Sequence, residues 1–457
     1  MNKHSNEFWS IFLIAQVISI LIFKFDIYYQ LAIGLFLFQF LTLFFEVGEG
    51  IPLRSLIGTL YAINYLFCPV LMYEWLNPYI EVQYRMKGTP DMYFAYAVPA
   101  NCLLLVGLYI NAKGRETYIN VDKIKAIVNR YPNLPKQLII FGNLVSIGIR
   151  FVPSEVQILF LGLLNLKFVG VFLHILSGKK LKPFYFIFSY GVLIVQALIS
   201  SMFNDLLNML FFLGIILSIR YRPGNYLKLI GVIGGIAIVT FIQIIKFPLR
   251  ESVNNNLSDV TIVDDVVEES LQKNKAKGKE QEIADVVFRL AQGWITSDVL
   301  VNYSLHGFKL QDGKHAGIML KSAVLPRILA PDKYIVGDGE LFSRYTGHLL
   351  SANTSMALGI LADGFIDYGE YGIFIVFLWG LIFNFFIKLY YHWDKTYPLA
   401  LVISPACFFY AIRPDTDTHA ALGSLIKITF VFWIAMSFLN RYYFNSQTFK
   451  TTYNSSH

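Results

Sequence analysis

The sequence predicts an all-α polytopic membrane protein of about twelve transmembrane helices with one large, partly helical external loop. Three observations predict it. Of the 457 residues, 55% are hydrophobic and 15% charged, where an ordinary soluble domain carries about 25% charged residues. The chain holds 40 Phe and 28 Tyr, more aromatic surface than one water-enclosed core can bury, so much of it must face lipid. The apolar residues also fall in runs of roughly 16–22, the length a hydrocarbon core demands. This excludes a disordered chain, a disulfide scaffold and an ordinary cytosolic enzyme. Cys68, Cys102 and Cys407 all sit inside apolar runs and read as small hydrophobes.

The expected spans are 8–24, 28–45, 55–75, 92–111, 137–152, 156–176, 183–201, 205–220, 227–246, 372–391, 398–413 and 420–440. The first is too long and too aromatic for a cleaved signal. The fifth is short and ends at Arg150-Phe151-Val152-Pro153. The stretch around Ser201–Asp205 fits either a pair of spans or a re-entrant hairpin. Apart from Lys167, the spans read as nearly free of charge, and a mid-span lysine points to function or to a structural pairing with a carbonyl.

Basic residues set the orientation. Loop 112–136 carries Lys113, Arg115, Lys123, Lys125, Arg130 and Lys136; loop 177–182 carries Lys179, Lys180 and Lys182; loop 220–228 carries Arg220, Arg222 and Lys228. With twelve alternating spans all three fall on one side, together with Lys388, Lys395, Arg441 and Lys450. The positive-inside rule makes that side the cytoplasm and puts both termini there. These clusters read as topology determinants, and no nucleic-acid partner is expected.

Three regions follow: an N-terminal bundle of about nine spans (1–246), an external loop (247–371), and C-terminal spans with a tail (372–457). The loop has 12 basic and 17 acidic residues, a net −5, leaving +12 on the remainder. A loop of that length is usually functional. Residues 252–281 are polar and read as a mobile or partly helical excursion. From Ile283 an amphipathic helix begins, with Val286, Val287, Leu290 and Trp294 at helical spacing and Arg289 on it. The motifs of ATP-driven transport, zinc proteases and serine hydrolases are absent.

The outer rim collects cations: Arg150, Arg250, Arg289, Arg327, Lys333, Arg344 and Arg413. Guanidinium groups bind diphosphate or carboxylate bidentately and stay charged. Gathered at headgroup level they would stabilise the charge that grows on a departing pyrophosphate without a metal. Candidates for a base are His348, Asp363, Asp367, Glu370, Asp415 and His419. Sugar-stacking faces could come from Trp294, Tyr303, Tyr334, Tyr345, Tyr368 and Tyr371, although interfacial anchoring explains most tyrosines in such a chain.

Two stretches carry a resemblance. One is Leu325-Pro326-Arg327-Ile328-Leu329-Ala330-Pro331-Asp332-Lys333; the other runs from Thr354 through Asp363-Gly364-Phe365-Ile366-Asp367-Tyr368-Gly369-Glu370-Tyr371-Gly372 into a span. With the overall topology, they resemble the Wzy-type O-antigen and capsule repeat-unit polymerases. Many members of that family have Glu where this chain has Asp363, and Asn-Phe-Gly at 367–369. The resemblance implies a GT-C-like, metal-independent glycosyltransferase of the bacterial inner membrane, without a cofactor, its large loop periplasmic. Donor and acceptor would both be glycans on undecaprenyl pyrophosphate, with a chain-length regulator and a flippase as partners. It implies pyrophosphate or glycan binding by Arg150, Arg250, Arg289, Arg327 and Arg413. Joined to the reading of the residues themselves, this makes Arg289, Arg150, Asp363 and His348 the expected catalytic residues, and Arg250, Arg327, Lys333, Arg344, Arg413, Asp367, Glu370, His419 and Trp294 the expected substrate-binding residues. An O-antigen ligase using the same donor, and a lipid-linked glycan flippase, are the competing expectations.

Overall fold

The computed structural model describes residues 5–23, 26–114, 116–152, 157, 160, 162–179, 182–200, 203–254, 278–325, 329–330, 333–350 and 354–441; for 5, 150, 199–200, 243–254 and 279 it describes the backbone alone. Regular structure among the described residues is helical. In chain order the helices are α1 (Ser5–Ile22), α2 (Ile27–Glu46), α3 (Leu53–Tyr79), α4 (Pro90–Tyr109), α5 (Val121–Arg130), α6 (Leu134–Gly148), α7 (Leu166–Ser177), α8 (Pro183–Ser200) and α9 (Asn204–Tyr221). They continue with α10 (Asn225–Asn254), α11 (Lys279–Leu290), α12 (Gly293–His306), α13 (Lys314–Val324), α14 (Gly339–Thr346), α15 (Ile360–Tyr368), α16 (Ile373–Asp394), α17 (Ala400–Phe408) and α18 (Thr418–Leu439).

Among the described residues, seven helices are long and apolar enough to cross a membrane: α2, α3, α4, α9, the Asn225–Ile242 part of α10, the run Ile360–Asp394 that joins α15 to α16, and α18. The protein is therefore an α-helical multi-pass membrane protein. Three more apolar helices are shorter: Asn6–Ile22, Gly162–Ser177 and Pro183–Leu198. The expected span 398–413 is only half helical. Its nine-residue helix α17 covers about 14 Å of a core about 30 Å thick. Even so, this segment joins the two faces. Tyr397 Oη lies 3.2 Å from Ser437 Oγ at the end of α18, and Arg413 Nη1 donates to Asp205 Oδ1 at the start of α9. An apolar run records burial, not where a helix stops.

Local chemistry explains the helix starts. Asp26 accepts the Tyr28 and Tyr29 N–H groups at the start of α2, and Thr89 accepts that of Met92 ahead of Pro90. Within α3 two π-helical turns, Ile63–Phe67 and Met72–Leu76, widen the coil. There the Asn64 carbonyl accepts the N–H of Gln292 at 3.1 Å, fixing the entry of α12. Irregular backbone at membrane depth needs such a protein partner.

At the centre α4 crosses α16 in backbone contact. A Cβ on Gly107 would lie 2.5 Å from the Phe377 carbonyl oxygen, and one on Gly380 2.3 Å from that of Leu104. Small residues give membrane helices this close approach. Next to the crossing, buried Arg54 pairs with Glu116 and donates to the Leu108 carbonyl (2.9 Å) and Asn384 Oδ1 (2.7 Å).

The basic loops gather on one face. Lys123 Nζ reaches the Asp394 carboxylate at 2.6 Å, and Lys179 Nζ the Val128 carbonyl at 3.0 Å. Lys228 Nζ reaches the carbonyl of Phe44, and Lys388 Nζ that of Ile110. The start of α1, with Phe8 against Phe45, and the end of α18, with Ser437 near Tyr397, lie on this face too. The opposite face carries residues 77–89 and helices α11 to α15, joined where Tyr84 stacks on Phe288.

Candidate functional site

The carboxylate of Asp367, buried on α15, caps α13. Its Oδ1 accepts the His315 N–H at 3.0 Å and its Oδ2 the Ala316 N–H at 2.7 Å. The backbone reinforces this, with Gln311 and Asp312 donating to the Ile366 and Asp367 carbonyls. Capping fixes His315 over Asp363, one turn earlier on α15. His315 Nε2 lies 2.8 Å from Asp363 Oδ1, and the Thr418 hydroxyl donates to Asp363 Oδ2. The other imidazole nitrogen, Nδ1, is 3.0 Å from the Tyr334 hydroxyl. With Nε2–H donating to the carboxylate, Nδ1 accepts from Tyr334. The chain Asp363–His315–Tyr334 thus runs from a site where Asp363 is 4% and His315 1% exposed to a half-buried tyrosine.

Burial pushes the Tyr334 hydroxyl up to about 12, so it keeps its proton at neutral pH. His419, in the first turn of α18, sits beside Tyr334 with ring centroids 6.0 Å apart, and its buried Nε2 has no hydrogen-bond partner among the described residues. Asp417 accepts the Gly337 N–H at 2.6 Å, and burial pushes its carboxyl up to about 7.

Two lysines flank this cluster. Lys333 Nζ donates to the Leu325 carbonyl at 3.2 Å and stands within interaction range of Lys427 on α18. Neither has a carboxylate partner among the described residues. Like charges at close range repel, and a bound anion relieves them. Alongside runs an apolar groove of about 500 Å³ between α13, α16 and α18, lined by Leu320, Val324, Leu381, Phe385, Leu422 and Ile426 among others. Val324 precedes the residue that holds Lys333, and Ile426 precedes Lys427, so the groove adjoins the cations.

Of the residues singled out in the sequence, the structure brings together Asp363, Asp367, His419, Lys333 and Tyr334, the last named there as a stacking face. Asp367 is engaged as the cap that orients His315, not as an open binding group. His348 belongs to a second cluster: its Nε2 pairs with the buried Asp298 carboxylate and lies 2.8 Å from Lys87 Nζ, which is 3.1 Å from Asp298 Oδ1. Trp294 packs against Tyr84, Phe342 and His348 and is 5% exposed, so its ring is a core element and cannot stack on a glycan. Glu370 is exposed.

The described arginines do not share one hollow. Arg413 is paired with Asp205 and Asp415, its charge answered by carboxylates. Arg344 is exposed beside Glu340 at 3.1 Å. Arg289 lies over the Phe288 ring on α11. The side chains of Arg150 and Arg250, and Arg327 as a whole, lie outside the described residues. Sequence reasoning missed His315, Lys87, Asp298 and Lys427. Nothing local links His315 to Asp363, 48 residues away. Lys427 was detectable, since it interrupts the last apolar run; with it, Lys167 is not the lone mid-span lysine. Comparison with known protein families, characterised proteins and solved structures finds no match.

Proposed function

We propose that the protein is a membrane glycosyltransferase that polymerises undecaprenyl-pyrophosphate-linked oligosaccharide repeat units, as Wzy-type enzymes do. It would cross the bacterial inner membrane about twelve times, with both ends in the cytoplasm. The basic face supports that orientation through the positive-inside rule. The observation that carries the reading lies on the opposite face: an acid–base chain, a lysine couple with no carboxylate partner among the described residues and an apolar groove meet at one place.

The chemistry follows from that meeting. The acceptor sugar hydroxyl gives its proton to the Tyr334 oxygen as the tyrosine proton passes to His315 Nδ1. Asp363 stabilises the imidazolium, and Thr418 holds the carboxylate in position. The freed oxygen attacks the anomeric carbon of the donor glycan. As the bond to pyrophosphate breaks, its electron pair moves onto the diphosphate, where Lys333 and Lys427 stabilise the growing charge. The polyprenyl tail occupies the groove, as its apolar lining suits.

The test is reconstitution with synthetic lipid-linked repeat units. The wild type should give a ladder of products. His315→Asn and Asp363→Asn should slow it by about 10²–10⁴, the range a general base supplies, with the protein still inserted. Offering lipid A core as the acceptor separates a ligase, which would use it. Unchanged ladders from both variants would overturn the assignment of the base.

A further inference from the structure

Lys167 plays no part in that cluster. It lies on α7, 2% exposed, and its hydrogen bond is to Ser146 Oγ on α6 at 3.2 Å. No carboxylate pairs with it among the described residues. Gly142 makes this possible: a Cβ there would lie 2.5 Å from the backbone nitrogen of Lys167, so α6 and α7 meet backbone to backbone. Ser146 spends its own proton on the Gly142 carbonyl at 2.8 Å, which leaves its oxygen free to accept the ammonium.

Ser146 lines a pocket of about 280 Å³ with Asn143, Ile147 and Phe151 from the α6 side and Val192 and Gln196 from α8. Asn143 is 3% exposed; its amide nitrogen donates to the Ile139 carbonyl, while its Oδ1 is buried without a partner among the described residues. The pocket therefore offers a cation one hydroxyl away and an empty acceptor. A cation within the bilayer persists where it faces a partner or a polar cavity. Because α6 starts near the basic face and Ser146 is in its last turn, the pocket belongs to the outer half of the bundle. Phe151, 87% exposed, stands at its rim.

We infer that α6, α7 and α8 form a second anion site, which takes the phosphate headgroup of a lipid that carries a neighbouring hydroxyl. The Lys167 ammonium, which stands behind Ser146 at the pocket wall, exchanges that hydroxyl for the phosphate, and the lipid hydroxyl donates to Asn143 Oδ1. The site is independent of the polymerase reading and is read out by binding alone.

Native mass spectrometry of the full-length protein in detergent tests it, with short-chain phosphatidylglycerol, phosphatidylcholine and inorganic pyrophosphate as probes. Phosphatidylglycerol should remain bound in preference to phosphatidylcholine, which lacks the hydroxyl. Lys167→Met should lower that binding about tenfold, Lys167→Arg should retain most of it, and Asn143→Leu should erase the preference between the two lipids. If Lys167→Met unfolds, Ser146→Leu, which fills the pocket and leaves the ammonium, should give the same loss. Competition by pyrophosphate at equal concentration would keep the phosphate chemistry but overturn a lipid as its source. Undiminished phosphatidylglycerol binding in a folded Lys167→Met or Ser146→Leu variant would overturn the site altogether.

Discussion

Asp363 is held by groups from two other helices, His315 on one oxygen and Thr418 on the other. Thr418→Val should leave a buried carboxylate oxygen without its donor, a cost of about 1–3 kcal/mol. Thermal melting in detergent should record it, with Thr418→Ser restoring most of the loss. Asp417, nearby, gives the cluster a pH response. Its folded value near 7 is above the ordinary carboxylate value of 3.8, because burial disfavours the ionised form. Between pH 4 and 7 the folded state thus keeps a proton that the unfolded state has released. Stability should fall as pH rises through that window, by about 1.4 kcal/mol per pH unit, and then level off. Asp417→Asn should flatten this part of a melting-temperature profile; an unchanged profile would show that Asp417 does not titrate there. Asp363 and His419 were visible in the sequence as polar groups where the chain approaches the membrane. Their partner His315 was not legible, because a contact across 48 residues leaves no trace in spacing, and Tyr334 was singled out as a stacking face and not as the group that meets the imidazole.

At the scale of elements, hydropathy marked the apolar runs but not how they are used: about twelve spans were expected, and seven helices among the described residues are long and apolar enough to cross. The pair Gly107 and Gly380 brings α4 and α16 together, and an apolar run shows neither that crossing nor its depth. Gly380→Leu should wedge the helices apart and destabilise the fold by about 1–3 kcal/mol or more, the usual cost of overpacking. Gly231 on the outer helix α10, where a Cβ would meet nothing within 4 Å among the described residues, should accept Ala with little change. Melting temperatures of the two variants make the comparison. The acidic residues of α15 show the same limit. Asp363 and Asp367 are four residues apart on one helix and look equivalent in sequence, yet one faces an imidazole and the other caps a helix.

For the whole molecule, charge was the most legible property. The loops at 112–136, 177–182 and 220–228 read as one face, and lysines from each of the three tie into backbone or carboxylate groups there. The long loop expected at 247–371 was harder to read, because its described part holds five helices, α11 to α15, and α13 and α15 supply half of the candidate site. Sidedness decides whether that site can meet a glycan outside the cell, and cysteine labelling tests it directly. Cys68 and Cys407 are buried and Cys102 half-buried, so a Cys102→Ser background should react little. Leu349→Cys, at a side chain 96% exposed on the face of the candidate site, should react with a membrane-impermeant maleimide in spheroplasts. Lys113→Cys, exposed on the basic face, should react only after the membrane is opened. The reverse pattern would put His315 and Asp363 on the cytoplasmic side and remove them from any external polymer. It would also move the Lys167 pocket to the inner leaflet, where its anion would have to come from the cytoplasmic lipid pool.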